Sequence, residues 1–288
     1  MASAGLCLLL ACLVINLYRH FPAIAKICFL VFILFFSSLT IITNANYKDD
    51  LTFYNYVLKI NKVNPLINLN LGVVYFKNGR YQEAFNQAYL ALKSDPNSWD
   101  TYALLGNIFY AKREVDKAMQ FYKKAISLNH HAAEVYNNLG IIYMLRHQKK
   151  EAYHNFAKAI ASNPEYTLGL KNFADFLFQE RAYRKSFSLY NKVLNLDKKD
   201  SEVYLKIGII LEKFNYFKEA ELTLNKALQL KPNSVEVLNM LGVIYANQGN
   251  LRKGIKFWHK ALLLQPANKE IEQNIEKADK LLKSRKLY

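Results

Sequence analysis

The hydrophobic pattern changes kind once along the chain. Up to Asn46, apolar residues run almost unbroken in two stretches, 6–18 and 27–43, separated by Arg19-His20-Phe21-Pro22 and Lys26. From Tyr47 onward, apolar positions recur every three or four residues among Lys, Glu and Asn, the spacing that gives a helix one buried stripe. The first pattern predicts two transmembrane helices, spans about 4–18 and 23–43, turning at Pro22. The second stretch reaches the roughly 20 residues needed to cross a hydrocarbon core once Lys26 snorkels to the interface. Phe29 to Phe36 is apolar on every side of a helix, which calls for lipid or a very large core. A cleavable signal peptide would carry a basic tail before one apolar core, whereas Met1 to Gly5 is uncharged and two runs follow. Leu9-Leu10-Ala11-Cys12 is a loose lipoprotein-like box, but its apolar run is short and continues past the cysteine.

A second regularity governs the remainder. Leu71-Gly72, Leu105-Gly106, Leu139-Gly140, Phe173-Ala174, Ile207-Gly208 and Leu241-Gly242 each stand 34 residues from the next, without a gap. Three residues beyond each small residue comes a large apolar one: Tyr75, Phe109, Tyr143, Leu177, Leu211 and Tyr245. Further along lie Ala84, Ala118, Ala152, Ser186, Ala220 and Gly254, small enough for two helices to approach closely. Second-helix positions follow at Ala88, Tyr122, Phe156, Tyr190, Leu224 and Trp258. Pro96, Pro164, Pro232 and Pro266 close four of the six units. A fixed period of this length is the mark of stacked helix-turn-helix units, each burying its apolar face on its neighbours.

At these residues the chain resembles the tetratricopeptide repeat (TPR) family, from Pro65 to Asn268. The resemblance implies an all-α fold, a right-handed superhelical solenoid whose first helices line a groove that holds a peptide or partner protein. The expected organisation is a membrane hairpin at 1–46, a degenerate half-repeat at 47–64, six TPR units at 65–268 and a capping helix at 269–288. Ile271, Ile275, Ala278 and Leu282 give that last helix one apolar face. In this family the residues just before the Leu-Gly pair face the groove. Here these are Asn70, Leu104, Asn138, Asn172, Lys206 and Met240, with Asn107, Asn137 and Asn239 nearby, and the candidate partner-binding residues are Asn70, Asn107, Asn137, Asn138, Lys171, Asn172, Lys206 and Asn239. Asparagine inside a helix costs roughly 0.5 kcal/mol against alanine, so its recurrence here suggests an amide ladder that hydrogen-bonds a peptide backbone. Asn is also common throughout the chain, which accounts for the same residues without a ligand. The lysine-asparagine-arginine set by which some family members clamp a chaperone tail is not found.

Charge adds a partner class. The formal net charge is +16, and only Arg19 and Lys26 of the basic residues precede Tyr47. A basic field of that size attracts acidic surfaces or anionic headgroups; a Lys-rich solvated face accounts for it equally well. Arg19 and Lys26 place their short loop in the cytoplasm by the positive-inside rule and the repeats on the far side, whereas Lys48, Lys59 and Lys62 argue for the reverse. The expectation is an integral membrane protein with an extracytoplasmic repeat domain, in the periplasm or a lumen.

Candidate chemistry is sparse. Cys7, Cys12 and Cys28 all lie in the apolar segment, and the six histidines are scattered without metal-ligand spacing. There is no Gly-rich phosphate loop and no nucleophile elbow. The aromatics interleaved with basic residues follow packing positions, so a nucleic-acid surface is not expected. No enzyme activity, cofactor or metal is expected. The expected function is a membrane-anchored scaffold that binds a protein or extended peptide, acidic in the reading above, and recruits it to the membrane or to a membrane-protein complex. An alternative starts at Asn46-Tyr47-Lys48-Asp49-Asp50-Leu51-Thr52-Phe53-Tyr54, which is similar to the junction before the repeats of GT-C-type membrane glycosyltransferases. It implies a truncated or non-catalytic relative or subunit of such a system.

Overall fold

A computed structural model describes residues 49–60 and 64–284, with isolated positions between 18 and 37. The chain folds as two compact bodies, residues 1–124 and 125–288.

The first body contains α1 (Asp50–Ile60), α2 (Pro65–Lys77), α3 (Tyr81–Ser94) and α4 (Trp99–Ala111), and α5 (Val115–Leu128) begins in it. Its core joins Leu69 of α2, Ala84, Ala88 and Ala91 of α3, and Leu104, Leu105 and Ile108 of α4. The three alanines lie on one face of α3, where the lack of bulk lets α2 and α4 close on it; each is fully buried. Where the second helix carries a large residue, the first helix yields instead. A Cβ on Gly106 would stand 2.4 Å from the Tyr122 ring, which is why this position has no side chain.

The second body holds α6 (Ala133–Leu145), α7 (Lys149–Ser162), α8 (Thr167–Gln179), α9 (Tyr183–Leu196), α10 (Ser201–Lys213), α11 (Phe217–Leu230), α12 (Val235–Asn247), α13 (Leu251–Leu264) and α14 (Lys269–Ser284). First helices are 13 residues long and second helices 14. Consecutive cores share the same ingredients: Ala152, Phe156, Phe173, Phe176 and Leu177, then Leu170, Tyr190, Val193, Val203 and Ile207, then Ala220, Leu224, Val237 and Leu241. Each fully buried Leu or Phe contributes about 1.5–3 kcal/mol, so one junction is held by several such residues and no single one. Trp258 seats its indole beside Gly242, where a Cβ would come within 2.3 Å of Nε1, and α14 covers it with Ile271, Ile275 and Ala278.

Boundaries are set by local chemistry that repeats with the same step. The side chains of Asn64, Ser98, Asp200, Ser234 and Asn268 accept from the first-turn N–H groups of the helices they precede, at 3.0–3.4 Å. At the other end of each first helix the chain enters the left-handed region at Gly79, Arg113, His147, Arg181, Asn215 and Gly249. The following N–H then reaches back five residues, as in Ala182 N to Leu177 O at 2.8 Å and Tyr216 N to Leu211 O at 2.9 Å.

Two expectations change here. The spans at 4–18 and 23–43 fall almost wholly outside the described residues; among the described residues no helix is long and apolar enough to cross a membrane. The assignment to an integral membrane location, with the repeats in the periplasm or a lumen, is corrected on that finding. Its physical origin is local: continuous apolar sequence specifies burial, and hydropathy alone does not say what covers it.

Candidate partner-binding site

The second body contains six of the eight candidate residues, and the structure ties most of them to one another. Asn137 of α6 is 1% exposed. Its Nδ2 donates to Oδ1 of Asn138 at 3.3 Å, and its Oδ1 accepts from Nδ2 of Asn172 on α8 at 2.9 Å. The same rung recurs at the end of the chain, where Asn274 Nδ2 of α14 donates to Asn239 Oδ1 of α12 at 3.4 Å. Both pairs are separated by 35 residues, one repeat plus one position. A second rung lies beside the first. Lys171 Nζ is 2.9 Å from Asp200 Oδ2 and 2.7 Å from Glu202 Oε2, and Asn239 Nδ2 donates to Glu270 Oε1 at 3.3 Å. Successive first helices are thus stitched by amides and an ion pair, with buried polar groups satisfied across the joint.

The electrostatics at Lys171 follow from this enclosure. Burial acts against its ammonium, but hydrogen bonds with Glu202 and Asp200 outweigh it and its pKa is raised. Asp200 shows the converse: burial would raise its pKa, yet the Lys171 ammonium and the N–H groups of Val203 and Glu202 hold its carboxyl below the usual range. Lys171 is therefore committed to carboxylates of its own chain.

Asn172 and Lys206 occupy one repeat position, 34 residues apart, and retain polar capacity. Asn172 donates one amide hydrogen to Asn137, and its carbonyl oxygen has no partner among the described residues. The Lys206 ammonium stands 4.9 Å from the centroid of the Phe178 ring, with no carboxylate of the described residues against it. An acceptor and a cationic donor in successive repeats complement the N–H and C=O groups of an extended peptide.

In the first body, Asn70 is half-buried on α2, and Asn107 has a structural duty: its Oδ1 accepts from the Tyr122 hydroxyl at 2.7 Å. Asp175 does the same for Tyr190 at 2.5 Å, and desolvation together with that carboxylate pushes the Tyr190 pKa well up. The pairing was visible in the sequence but had no meaning without the contact. Where the second helix carries Tyr122 or Tyr190, the first carries Asn107 or Asp175; where it carries Phe156 or Leu224, the first carries Ile141 or Ile209. Among the described residues no cluster of three His, Cys, Asp or Glu could hold a metal ion.

Comparison with known proteins settles the family. Models described as tetratricopeptide repeat match residues 54–98, 133–166, 201–234 and 235–268, and one described as TPR repeat matches 106–145. Together they span more than half of the chain. This chain is a tetratricopeptide-repeat protein. Its relatives include the cattle (Bos taurus) BBSome complex member BBS4, 34% identical over 98 residues, which is 34% of this chain and 19% of that protein. A peptide N-acetylglucosaminyltransferase of Caenorhabditis elegans is 40% identical over 68 residues, 24% of this chain and 6% of its own length. The TPR chain thus spans a fifth or less of these two relatives. Among solved structures, Pseudomonas aeruginosa PilF superposes with a TM-score of 0.63 at 21% identity, covering 73% of this chain and 95% of that one. YrrB, described as a TPR protein with an unusual peptide-binding site, gives 0.60 at 22% identity over 66% and 97%. Both likenesses establish the fold. The matches give no support to a junction with GT-C-type glycosyltransferases, and that resemblance is withdrawn; of the residues Asn46 to Tyr54 that carried it, Asp50 to Tyr54 belong to α1.

Proposed function

We propose that this TPR protein is a non-catalytic scaffold that holds an extended peptide or a partner protein against the first helices of residues 125–288. The observation that carries this reading is the pair of unspent polar groups at one repeat position, Asn172 Oδ1 and the Lys206 ammonium. Around them the rungs from Asn137, Lys171 and Asn239 fix neighbouring helices, so the groups are held in place before a partner arrives and less ordering entropy opposes binding. Asn138 lies half-buried beside them. The two groups read a peptide backbone and place no demand on its side chains. Acidic partners are favoured by the long-range field of the +16 chain.

A peptide library displayed on phage and selected on the full chain tests this. Selected peptides are expected to lose about tenfold to thirtyfold in affinity when Lys206→Ala and Asn172→Ala are combined, since each lost hydrogen bond contributes on the order of 1 kcal/mol. Thermal melts separate binding from folding, because Asn172→Ala also removes the donor to buried Asn137. Equal binding by wild type and variant would move the partner surface off these helices.

A further inference from the structure

A cavity of about 580 Å³ opens between α7, the end of α8 and the start of α9, and none of the residues discussed above for peptide binding lines it. It exists because side-chain volume is missing from a regular backbone. One repeat later, Tyr183, Phe214 and Tyr216 stand at the positions held here by Lys149, Glu180 and Ala182. Those three aromatics pack on one another at the equivalent turn, with ring centroids 6.4 and 6.5 Å apart. At Ala182 the same turn carries no ring.

Floor and rim differ in chemistry. Phe176 and Leu177, each 3% exposed, form the floor, and Phe176 is fixed against Phe156 at 5.6 Å between ring centroids. The Tyr153 ring forms a wall, held edge-on to Phe173 at 5.2 Å. The rim is basic. Lys149 Nζ lies 2.8 Å from Glu180 Oε2, so the one acid of the lining is already neutralised. Lys150, His154 and Lys185 remain, with the Lys185 ammonium 5.4 Å from the Tyr153 ring centroid, over the mouth. A bare anion would find no donor on the apolar floor, and an uncharged apolar group would leave the rim unanswered. The volume lies in the range of pockets that take small ligands and side-chain anchors.

We propose that this cavity is a second docking site, which takes an apolar side chain flanked by carboxylates from an acidic segment of a partner protein. The apolar side chain stands at the turn where the next repeat carries its own rings, and the flanking carboxylates meet Lys150 and Lys185. It is separate from the first-helix surface that carries the proposed peptide-binding function and does not depend on it.

The test measures fluorescence anisotropy of three fluorescein-labelled nine-residue peptides with the full chain: alternating Asp and Leu, alternating Asn and Leu, and alternating Asp and Ser. The Asp-Leu peptide is expected to bind at least about tenfold more tightly than either control, since both charge and apolar burial are required. Lys150→Gln with Lys185→Gln should weaken it about tenfold, more at low salt than at high. Ala182→Tyr, which copies Tyr216 one repeat on, should abolish binding while circular dichroism and melting temperature stay as in wild type. Equal binding of the Asn-Leu or Asp-Ser peptide overturns the proposal, as does indifference to both variants. Loss with Lys206→Ala and retention with Ala182→Tyr would place the peptide on the first helices, overturning this site and leaving the proposed scaffold function intact. Binding of phosphatidylserine vesicles that Ala182→Tyr abolishes would instead reassign the cavity to an anionic lipid surface and overturn it as a protein-docking site.

Discussion

Residues 167–200 and 201–234 are successive repeats of one length and one backbone, and almost every point of chemistry separates them. The earlier repeat sets buried Tyr190 on the half-buried Asp175, where the later one has Leu224, fully buried, and Ile209 at the same two positions. At the interhelical turn the earlier one has Ala182 beside an open basic cavity, and the later one has Phe214 packed on Tyr216. The helices and the turn hydrogen bonds are the same in both. The 34-residue frame therefore fixes where side chains stand, and a few volumes and charges within it decide whether a junction is filled or open to a ligand.

The largest effect should come from the cavity floor. Phe176→Ala removes a ring that is 3% exposed and should cost about 3–5 kcal/mol in urea unfolding, because the gap it leaves cannot collapse between three helices. The matching residue of the next repeat is Ile210, and the plug Phe214 is 38% exposed, so Phe214→Ala should cost only about 1 kcal/mol. Comparable losses would mean that the plug is structural and that the open cavity of the earlier repeat is a defect.

A middle-sized effect is expected at the polar pair. Tyr190→Phe leaves the Asp175 carboxylate without its hydroxyl donor and should destabilise by about 1–3 kcal/mol. Adding Asp175→Ile, the combination that Phe156 and Ile141 already make one repeat earlier, should recover most of that loss. A double variant less stable than Tyr190→Phe alone would break the claim that the two solutions are interchangeable.

The ion pair joining these two repeats carries a pH signature. Because the folded-state pKa of Asp200 is depressed, its contribution is present above the unfolded value of about 4 and is lost as pH falls through the folded value. Asp200→Asn keeps an oxygen to cap α10 but removes the charge, so it should cost on the order of 1 kcal/mol at neutral pH and flatten the acid limb of stability measured from pH 5 to pH 2. Parallel acid limbs in wild type and variant would show that Lys171 draws its stabilisation from Glu202 alone.

The smallest effect concerns backbone strain at the turns. Arg181 at φ 59° and Asn215 at φ 61° both stand where Gly79 and Gly249 stand in other repeats, and both are exposed. Arg181→Gly should stabilise by about 0.5–1 kcal/mol, and Asn215→Gly by less, since asparagine tolerates the left-handed region better than arginine does. Matched thermal melts would resolve the order, and a larger gain at Asn215 would contradict it.

Much of this was legible in the chain. The Leu-Gly pairs, the small-residue row from Ala84 to Gly254 and the prolines after four of the second helices announced stacked helix pairs, because only a helix hairpin needs a small residue at both of those places. The aromatics were expected to follow packing positions, and at the second-helix position Tyr122, Phe156, Tyr190 and Trp258 are all buried. The candidate site was legible less well. Asn107, a groove candidate, accepts from the Tyr122 hydroxyl, and Lys171, another, is held by Asp200 and Glu202; neither contact shows in the sequence. The apolar N-terminal segment was the weakest ground, since hydropathy measures a preference for burial and not the medium that provides it.

What the sequence by itself determined was the repeat, its helix lengths and its caps, because these depend on local propensity and on a spacing that can be counted along one chain. What only the tertiary structure decided was the use of each polar residue. Asn137 and Asn172 lie 35 residues apart and look alike in sequence, yet one is buried and accepts from the other, while the second is half-buried and its oxygen has no hydrogen-bond partner among the described residues. The cavity at Ala182 is a fact of the same kind. A missing ring becomes a space only when three helices surround it, and no local rule of sequence carries that information.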